Sequence, residues 1–323
     1  MDKLKKNIII FLILSILIYL GLSFYADYEA VLESLKKIDI LVLPLVFLLS
    51  FLNYLTRFLK WHYYVKVLKI NVHVLDSFGI FMSGLAMSAT PGKLGELLKS
   101  YLVKKLNGTP VSRTAPIIFA ERLTDMLSVV ALAIGGALFY EFGVNVVIIT
   151  GIFFTLIIIL ISNRKLSLAF IDLLQKIKFL KKYINQIKEL YESAFILIRF
   201  PALVKMTLLS FVSWFFECYG FYLVLTGFGI EVSLFWSIFV YAFATIVGSI
   251  TMLPGGLGAT EGSITLLMIE NGISKDLSVI ATFIIRVATL WFAILVGTIS
   301  LIIYQKRIGK VDINNNLQEL RNE

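Results

Sequence analysis

Long apolar runs recur along almost the whole chain, and they constrain its fold more than any other feature of the sequence. The 323 residues are 59% hydrophobic and only 16% charged, which is too little charge to cover a water-soluble surface. A membrane-spanning helix needs about 20 apolar residues, so the length allows roughly seven to nine crossings. The runs are rich in Leu, Ile and Phe and lack the alternation of a membrane β-barrel. We therefore predict an all-α, polytopic helical membrane protein.

Two of the apolar runs are too short to cross about 30 Å of hydrocarbon, and each follows a Pro-Gly pair. We interpret these two, 94–103 and 259–270, as the returning arms of two re-entrant helical hairpins. The N-terminal apolar run, 8–25, resembles a signal sequence, but no small-residue cleavage site follows Ser23, so we predict a retained helix. The apolar runs lie at about 8–25, 40–59, 74–90, 94–103, 115–139, 144–162, 203–226, 234–253, 259–270 and 278–304.

Basic residues are concentrated in some connections and missing from others, which predicts an orientation through the positive-inside rule. The connections 140–143 and 227–233 contain no Lys or Arg, whereas 163–202 carries eight basic residues. We therefore expect a cell-membrane protein with both termini in the cytoplasm. The other basic residues used are Lys3, Lys5, Lys6, Arg57, Lys60, Lys66, Lys69, Lys99, Lys104, Lys105, Arg113, Lys306, Arg307 and Lys310.

The basic segment 163–202 also has apolar residues at three-and-four spacing, which predicts an amphipathic helix on the cytoplasmic membrane surface. A solvated linker is the alternative. No Ser-, Gly- or Pro-rich linker divides the chain, so we predict one membrane domain, 1–304, and a short cytoplasmic tail, 305–323.

An internal repeat is visible around the two Pro-Gly pairs. The sequence P-G-K-L-G-E at 91–96 is echoed by P-G-G-L-G-A-T-E at 254–261, and Gly108 and Gly272 follow the prolines by 17 and 18 positions. Arg122 and Arg286 each come 14 positions after those glycines. The copies, about 40–139 and 203–304, have opposite predicted orientations. Inverted repeats with broken helices are typical of transporters, in which the breaks form the substrate site.

Charged residues inside the apolar runs cost about 2.5–3.5 kcal/mol each on insertion scales, so they need partners or a water-filled cavity. The candidates in the repeats are Glu96, Glu121, Arg122, Asp125, Glu261 and Arg286, and Glu217 stands alone in the 203–226 run. Arg122 and Asp125 are three apart on one helix and would also fit a structural ion pair. We expect Glu261, or else Glu217, to be the partner of Arg286.

The glycine-rich breaks are the second part of the predicted site. New helices that begin there leave unpaired N–H groups that suit a phosphate or carboxylate, and glycine lets a ligand approach the backbone. Helix packing through Gly258 and Gly262 is the alternative use. The residues singled out are Gly92, Lys93, Gly95, Gly255, Gly256 and Gly258.

Arg57, Lys60 and Trp61 stand near the predicted end of the 40–59 helix. Basic and aromatic residues are common at the membrane interface, and we assign all three to it. Capture of a lipid headgroup is the alternative.

The sequence shows no motif for catalysis or metal binding. It contains no nucleotide-binding loop, zinc-protease or serine-hydrolase motif, so we predict that the chain is not an enzyme and needs no cofactor. The single Cys218 cannot form an internal disulfide, and two isolated histidines make a poor metal site. The net charge of +9 is assigned to loops that face anionic lipid, not to nucleic acid.

Four motifs together resemble the flippase-like membrane family typified by the membrane half of bacterial lysylphosphatidylglycerol synthases. They are P-G-K-L-G-E at 91–96, E-R-L-T-D at 121–125, L-P-G-G-L-G-A-T-E-G at 253–262, and Arg286 near Leu290-Trp291. The resemblance covers about 8–304 and implies movement of a modified phospholipid between leaflets. Only 19 residues follow Tyr304, so we expect a stand-alone member without the soluble aminoacyl-transferase half.

The leading hypothesis is therefore a flippase or scramblase for an anionic or modified phospholipid or a polyprenyl-type lipid, with Arg122 and Arg286 binding the headgroup. A secondary transporter of a small anion is one alternative, with Glu96, Glu261 or Asp125 coupling to protons. A membrane partner that presents lipid to a separate enzyme is the other. The partners considered are membrane lipids, a second copy in a homodimer and a lipid-modifying enzyme.

Overall fold

The computed structural model describes residues 38–90, 95–137, 144–165, 167–168, 171 and 184–308. The described residues form helices and connecting turns without a strand, which confirms the predicted all-α class. The predicted first helix at 8–25 and the tail beyond 308 lie outside this part of the chain.

The helices follow the apolar runs closely, and most bounds agree with the predicted ones within a few residues. In chain order they are α1 (Val42–Val67), α2 (Val74–Gly84), α3 (Leu97–Asn107), α4 (Val111–Ala137), α5 (Val144–Ser162), α6 (Ile184–Leu197), α7 (Phe200–Gly227), α8 (Leu234–Ile250), α9 (Ala259–Glu270), α10 (Lys275–Arg286) and α11 (Phe292–Ile308). A π-helical turn, Val287–Trp291, joins α10 to α11 into one continuous helix.

Three stretches of the described chain are long and apolar enough to cross a membrane: α1, α7 and Lys275–Lys306. The predicted end of the first of them was wrong. Helix α1 continues eight residues beyond residue 59, to Val67, because the charged residues around that point have partners inside the protein. The total number of crossings stays a prediction.

Both predicted breaks interrupt the helices at similar places. Helix α2 ends in a 3₁₀ turn, Leu85–Met87, before the first break, and the second break contains the 3₁₀ turn Pro254–Gly256 after α8. The short arms α3 and α9 both end at glycines in the left-handed region, Gly108 with φ 77° and Gly272 with φ 84°. These two glycines therefore have the equivalent roles that the repeat predicts.

The two breaks lie against each other. A Cβ built on Gly255 would be 3.5 Å from the Cα of Ala89. Ala89, just before the first break, therefore lies close to the second break. Entry of the two hairpins from opposite membrane faces, and the inverted relation of the copies, stay predictions.

Connections that carry similar charge lie near one another. The Arg113 guanidinium donates to the Leu68 carbonyl at 2.8 Å, and α6 packs against α4. A separate contact joins the Asp39 N–H to the Gly227 carbonyl at 2.9 Å. Leu68 and Arg113, in connections predicted to be cytoplasmic, thus contact each other, and Asp39, just before α1, contacts the beginning of the connection 227–233.

Helix α6 shows that part of the predicted amphipathic segment 163–202 is helical. It buries Leu197 and the following Ile198, and the exposed Glu189 accepts a hydrogen bond from the Ser112 hydroxyl of α4. The buried side packs against protein, in particular against α4. Contact with the membrane surface stays a prediction, and 172–183 lie outside the described part.

Two apolar cores meet along α4. One core includes Ile117 and Leu123 with side chains of α1, α2 and α11, and the other includes Val129 and Leu132 with side chains of α7, α8 and α10. Asp125 lies between the two sets on α4. The ionised residues of the bundle centre are therefore located where the cores adjoin.

Candidate functional site

A cavity of about 260 Å³ lies between the two breaks and the long helices. Ser88 from the first break and Gly255 and Gly256 from the second contribute to its wall. Ionisable side chains from four helices complete the polar part of the lining. They are Arg57 of α1, Arg122 and Asp125 of α4, Glu217 of α7 and Arg286 of α10.

The α1 residues correct the interface assignment. Lys60 and Trp61 are 1% and 0% exposed, and Arg57 is 8% exposed, so all three are buried among helices. Arg57 and Lys60 lie on one buried stripe with Asn53 and Tyr64, at spacings of four, three and four residues. This helical spacing of polar residues in an apolar run was the sequence signal for a buried site.

Asp125 is the common acceptor of the cations around it. The Lys60 ammonium forms a very short hydrogen bond to Asp125 Oδ1, and the Ser210 hydroxyl also donates to this oxygen at 2.9 Å. The guanidinium nitrogens of Arg57 and Arg122 lie 3.6 and 3.8 Å from Oδ2. Asp125 is thus paired mainly with Lys60, and the predicted Arg122–Asp125 pair is the longer contact.

Arg122 instead forms its short ion pair with Glu96, from the beginning of α3. Lys99 of α3 pairs with Glu121 at 2.5 Å and lies 4.8 Å from the ring centroid of Trp61. Lys99 is only 2% exposed, so its assignment to a cytoplasmic loop was wrong. Its buried carboxylate partner and aromatic neighbour offset the cost of removing the ammonium from water.

The first-copy cluster is not neutral when all its groups are ionised. Four cations and three carboxylates give a net charge of +1, and every member has a side chain at most one-quarter exposed. Glu217 on the cavity wall offsets this charge, so any attraction for an anion comes from the local guanidinium groups and not from a net charge of the centre. The members are Arg57, Lys60, Lys99, Arg122, Glu96, Glu121 and Asp125.

The second copy has the predicted Arg286–Glu261 pair. Arg286 Nε donates to Glu261 Oε1 at 2.7 Å, and a terminal nitrogen donates to the Gly255 carbonyl at 2.6 Å. In the predicted repeat this pair would correspond to Arg122–Glu96. Glu217, the other expected partner, accepts a hydrogen bond from the Tyr241 hydroxyl at 2.7 Å.

Two backbone N–H groups of the predicted anion site are already bonded within the protein. Glu261 Oε2 accepts the Gly258 N–H at 2.7 Å, so a carboxylate occupies the beginning of α9. The Gly95 N–H donates to Thr90 Oγ1 at 2.9 Å. These two N–H groups therefore do not await a ligand, because side chains nearby already accept from them.

The packing role considered for Gly258 and Gly262 is not supported either. Gly258 has φ 84°, a left-handed conformation that explains the glycine. A Cβ on Gly262 would meet no other described atom within 4 Å. No close helix contact is made at this second glycine within the described structure.

Arg122, Asp125, Gly255, Gly256 and Arg286 of the predicted site line the cavity. Glu96 and Glu261 lie behind them as partners of the two arginines, and Gly95 and Gly258 lie in the adjoining turns. Gly92 and Lys93 are outside the described residues. Sequence reasoning missed Arg57 as a lining residue and gave no role to Trp214, for which only its place in an apolar helix was visible.

Comparison with known proteins identifies a family and several relatives. The family described as Lysylphosphatidylglycerol synthase TM region matches residues 12–297. A UPF0104 membrane protein of Pyrococcus horikoshii is 26% identical over 92% of this chain and 96% of its own length. One from Methanothermobacter thermautotrophicus is 24% identical over 82% of this chain and 86% of its own length. Another, from Methanocaldococcus jannaschii, is 23% identical over 95% and 98%.

Proposed function

This chain belongs to the lysylphosphatidylglycerol synthase TM region family, and on that basis we propose that it is a flippase or scramblase for a lipid with an anionic headgroup. Membership of this family supports a lipid-related function in a membrane. The observation that carries the finer proposal is the cavity between the breaks, to which three arginines contribute. No chemical reaction or cofactor is needed for this role.

The physical requirement of lipid translocation is a lower cost for a phosphate near the middle of the bilayer. Fixed guanidinium groups replace the water that a headgroup loses, and they do so without reorganising. A headgroup in the cavity would therefore be stabilised by charge that is already in place.

The rim of the cavity suits a molecule that keeps its acyl chains in the membrane. Met252 and Leu253 line the cavity and are 71% and 45% exposed. Exposed apolar side chains beside a polar interior offer a path in which the tails stay in hydrocarbon while the headgroup enters.

A secondary transporter of a small anion is the second candidate. A cavity of about 260 Å³ holds a headgroup-sized ion without acyl chains, and Glu217 on its wall is a carboxylate that can exchange protons. Flux of a solute across the membrane, without movement of lipid, distinguishes this candidate from the first.

The test is leaflet exchange by the purified chain in liposomes, with fluorescent phosphatidylglycerol and dithionite added outside. We expect quenching to proceed beyond the outer-leaflet fraction, and Arg122→Gln to slow it. Arg113→Gln is the matched control, because Arg113 bonds the Leu68 carbonyl far from the cavity lining. Quenching equal to that of protein-free vesicles, with folded protein present, would rule out the proposal. Uptake of radiolabelled phosphate by the same vesicles would then favour the small-anion transporter, and no uptake a lipid-presenting partner.

A further inference from the structure

The three cavity arginines differ in how fully the protein uses their donors. Arg286 donates from Nε to Glu261 at 2.7 Å and from a terminal nitrogen to the Gly255 carbonyl at 2.6 Å. Both acceptors belong to the second break or the helix that follows it. Arg286 thus stabilises the second break. A ligand that binds Arg286 would have to replace two well-formed hydrogen bonds.

Fewer donors of Arg122 than of Arg286 are used by the protein. One terminal nitrogen makes a short bond to Glu96, and the other lies 3.8 Å from Asp125, while Nε has no acceptor among the described residues. Its side chain is 25% exposed, so water can reach part of the group. Arg122 keeps some capacity for a ligand.

Of the three arginines, Arg57 has the most hydrogen-bond donors available for a ligand. Its nearest carboxylate oxygen, Asp125 Oδ2, is 3.6 Å away, beyond hydrogen-bonding distance, and its Nε has no acceptor in the described structure. The same carboxylate is already bonded by Lys60 and Ser210 through its other oxygen. A guanidinium that is 8% exposed and so weakly satisfied is costly unless an acceptor is supplied.

Trp214 is the second under-used donor on the wall. It lines the same cavity, is 7% exposed, and its indole Nε1 has no hydrogen-bond acceptor among the residues described. Helices α1 and α7, which carry Arg57 and Trp214, are in direct contact, where the Ser213 hydroxyl donates to Thr56 Oγ1 at 2.7 Å. The residues that follow this bonded pair in each helix are Arg57 and Trp214.

We propose that Arg57 and Trp214 form the anion-binding subsite of the cavity and accept a phosphate group, while Arg286 positions the second break. The arginine supplies charge and a planar set of donors that matches phosphate oxygens, and the indole supplies one further N–H. This inference rests on the proposed function and names the residues that recognise the headgroup. The phosphate could belong to a lipid or be free, since both present the same oxygens.

Glu217 on the same wall opposes an anion by its charge. It lies on α7 one turn beyond Trp214, and it also lines the cavity. Removing its charge should therefore raise anion affinity, which a merely structural role for this wall would not predict.

Binding by the purified full-length chain in detergent tests the subsite, with dihexanoyl phosphatidylglycerol and inorganic phosphate as separate calorimetric probes. We expect a loss of about tenfold or more for Arg57→Gln and of about three- to tenfold for Trp214→Phe, the sizes expected for hydrogen bonds to a charged group. Glu217→Gln should increase affinity several-fold. Arg113→Gln and Trp236→Phe are matched controls, since neither residue lines the cavity.

The outcomes are separable. If Arg57→Gln and Trp214→Phe bind both probes more weakly, the result supports a subsite for phosphate in general. If they bind only the lipid more weakly, the result supports a subsite for the lipid headgroup. Unchanged affinity in Arg57→Gln and Trp214→Phe, or no binding of either probe by the unsubstituted chain, overturns the inference. Binding that depends on both residues without leaflet exchange leaves the subsite standing and removes the flippase. If Arg57→Gln does not fold, Arg57→Lys should bind with intermediate affinity because it keeps the charge and loses the fork.

Discussion

At the scale of single residues, the bundle centre holds cations and carboxylates in pairs that helices at a distance bring together. Lys60 reaches Asp125, 65 positions along the chain, and Arg286 reaches Glu261, 25 positions back. Buried pairs of this kind add little net stability over apolar side chains of the same size. Loss of one partner is costly, however, because the remaining charge stays buried.

Arg286 gives the clearest residue-scale prediction. Arg286→Ala should lower the free energy of unfolding by about 3–5 kcal/mol, because Glu261 is fully buried and would lose its guanidinium. Arg286→Lys should restore only part of it, since one ammonium cannot replace both hydrogen bonds. Adding Glu261→Gln to Arg286→Ala should recover stability. Thermal unfolding in detergent, followed by circular dichroism, measures all three, and an unchanged midpoint for Arg286→Ala would contradict this account.

At the scale of elements, close packing of helices around the breaks depends on glycine at particular positions. Gly297 of α11 lies directly against the 3₁₀ turn that ends α2, and an added Cβ would overlap the backbone of Leu85 and Ala86. Backbone atoms cannot rotate away as a side-chain end can. The approach of α11 to the first break is therefore set by the absence of a side chain at this glycine.

Gly297→Ala should consequently destabilise the protein by about 1–3 kcal/mol, the usual cost of overpacking. Gly262→Ala is the matched control in another helix, where the added methyl meets no described atom within 4 Å. The control should be neutral or stabilising by up to about 1 kcal/mol, because alanine favours helix over glycine. The same unfolding measurement compares the two, and equal effects would show that α11 is not tightly packed there.

At the scale of the whole molecule, orientation in the membrane depends on which basic residues face water. Lys60 and Lys99 are buried in the ionic cluster and carry no information on orientation. Lys66, Lys69 and Arg113 are exposed and still support the predicted cytoplasmic side. The predicted orientation therefore rests on fewer basic residues than the sequence alone suggests.

Labelling of introduced cysteines tests that orientation. Cys218 is fully buried, so an impermeant maleimide should leave the unsubstituted chain unlabelled in intact cells. We expect Glu231→Cys and Asn271→Cys to be labelled from outside and Pro110→Cys only after the cells are opened; all three positions are exposed. Pro110 and Asn271 follow the short arms of the two hairpins. Labelling of both from one side would remove the inverted-repeat argument.

The sequence by itself determined the helical class, most helix bounds, the two breaks and the Arg286–Glu261 pair. Hydropathy and Pro-Gly punctuation are local properties, and a buried arginine needs a carboxylate whatever the detailed packing. The tertiary structure decided that Arg57, Lys60 and Lys99 are buried, that Glu261 occupies the beginning of α9, and that Trp214 and Arg57 line the same cavity. A lysine near a predicted helix end can either reach the membrane surface or stay inside. The choice for Lys60 rests on Asp125 and Ser210, 65 and 150 positions away, and no local pattern contains those partners.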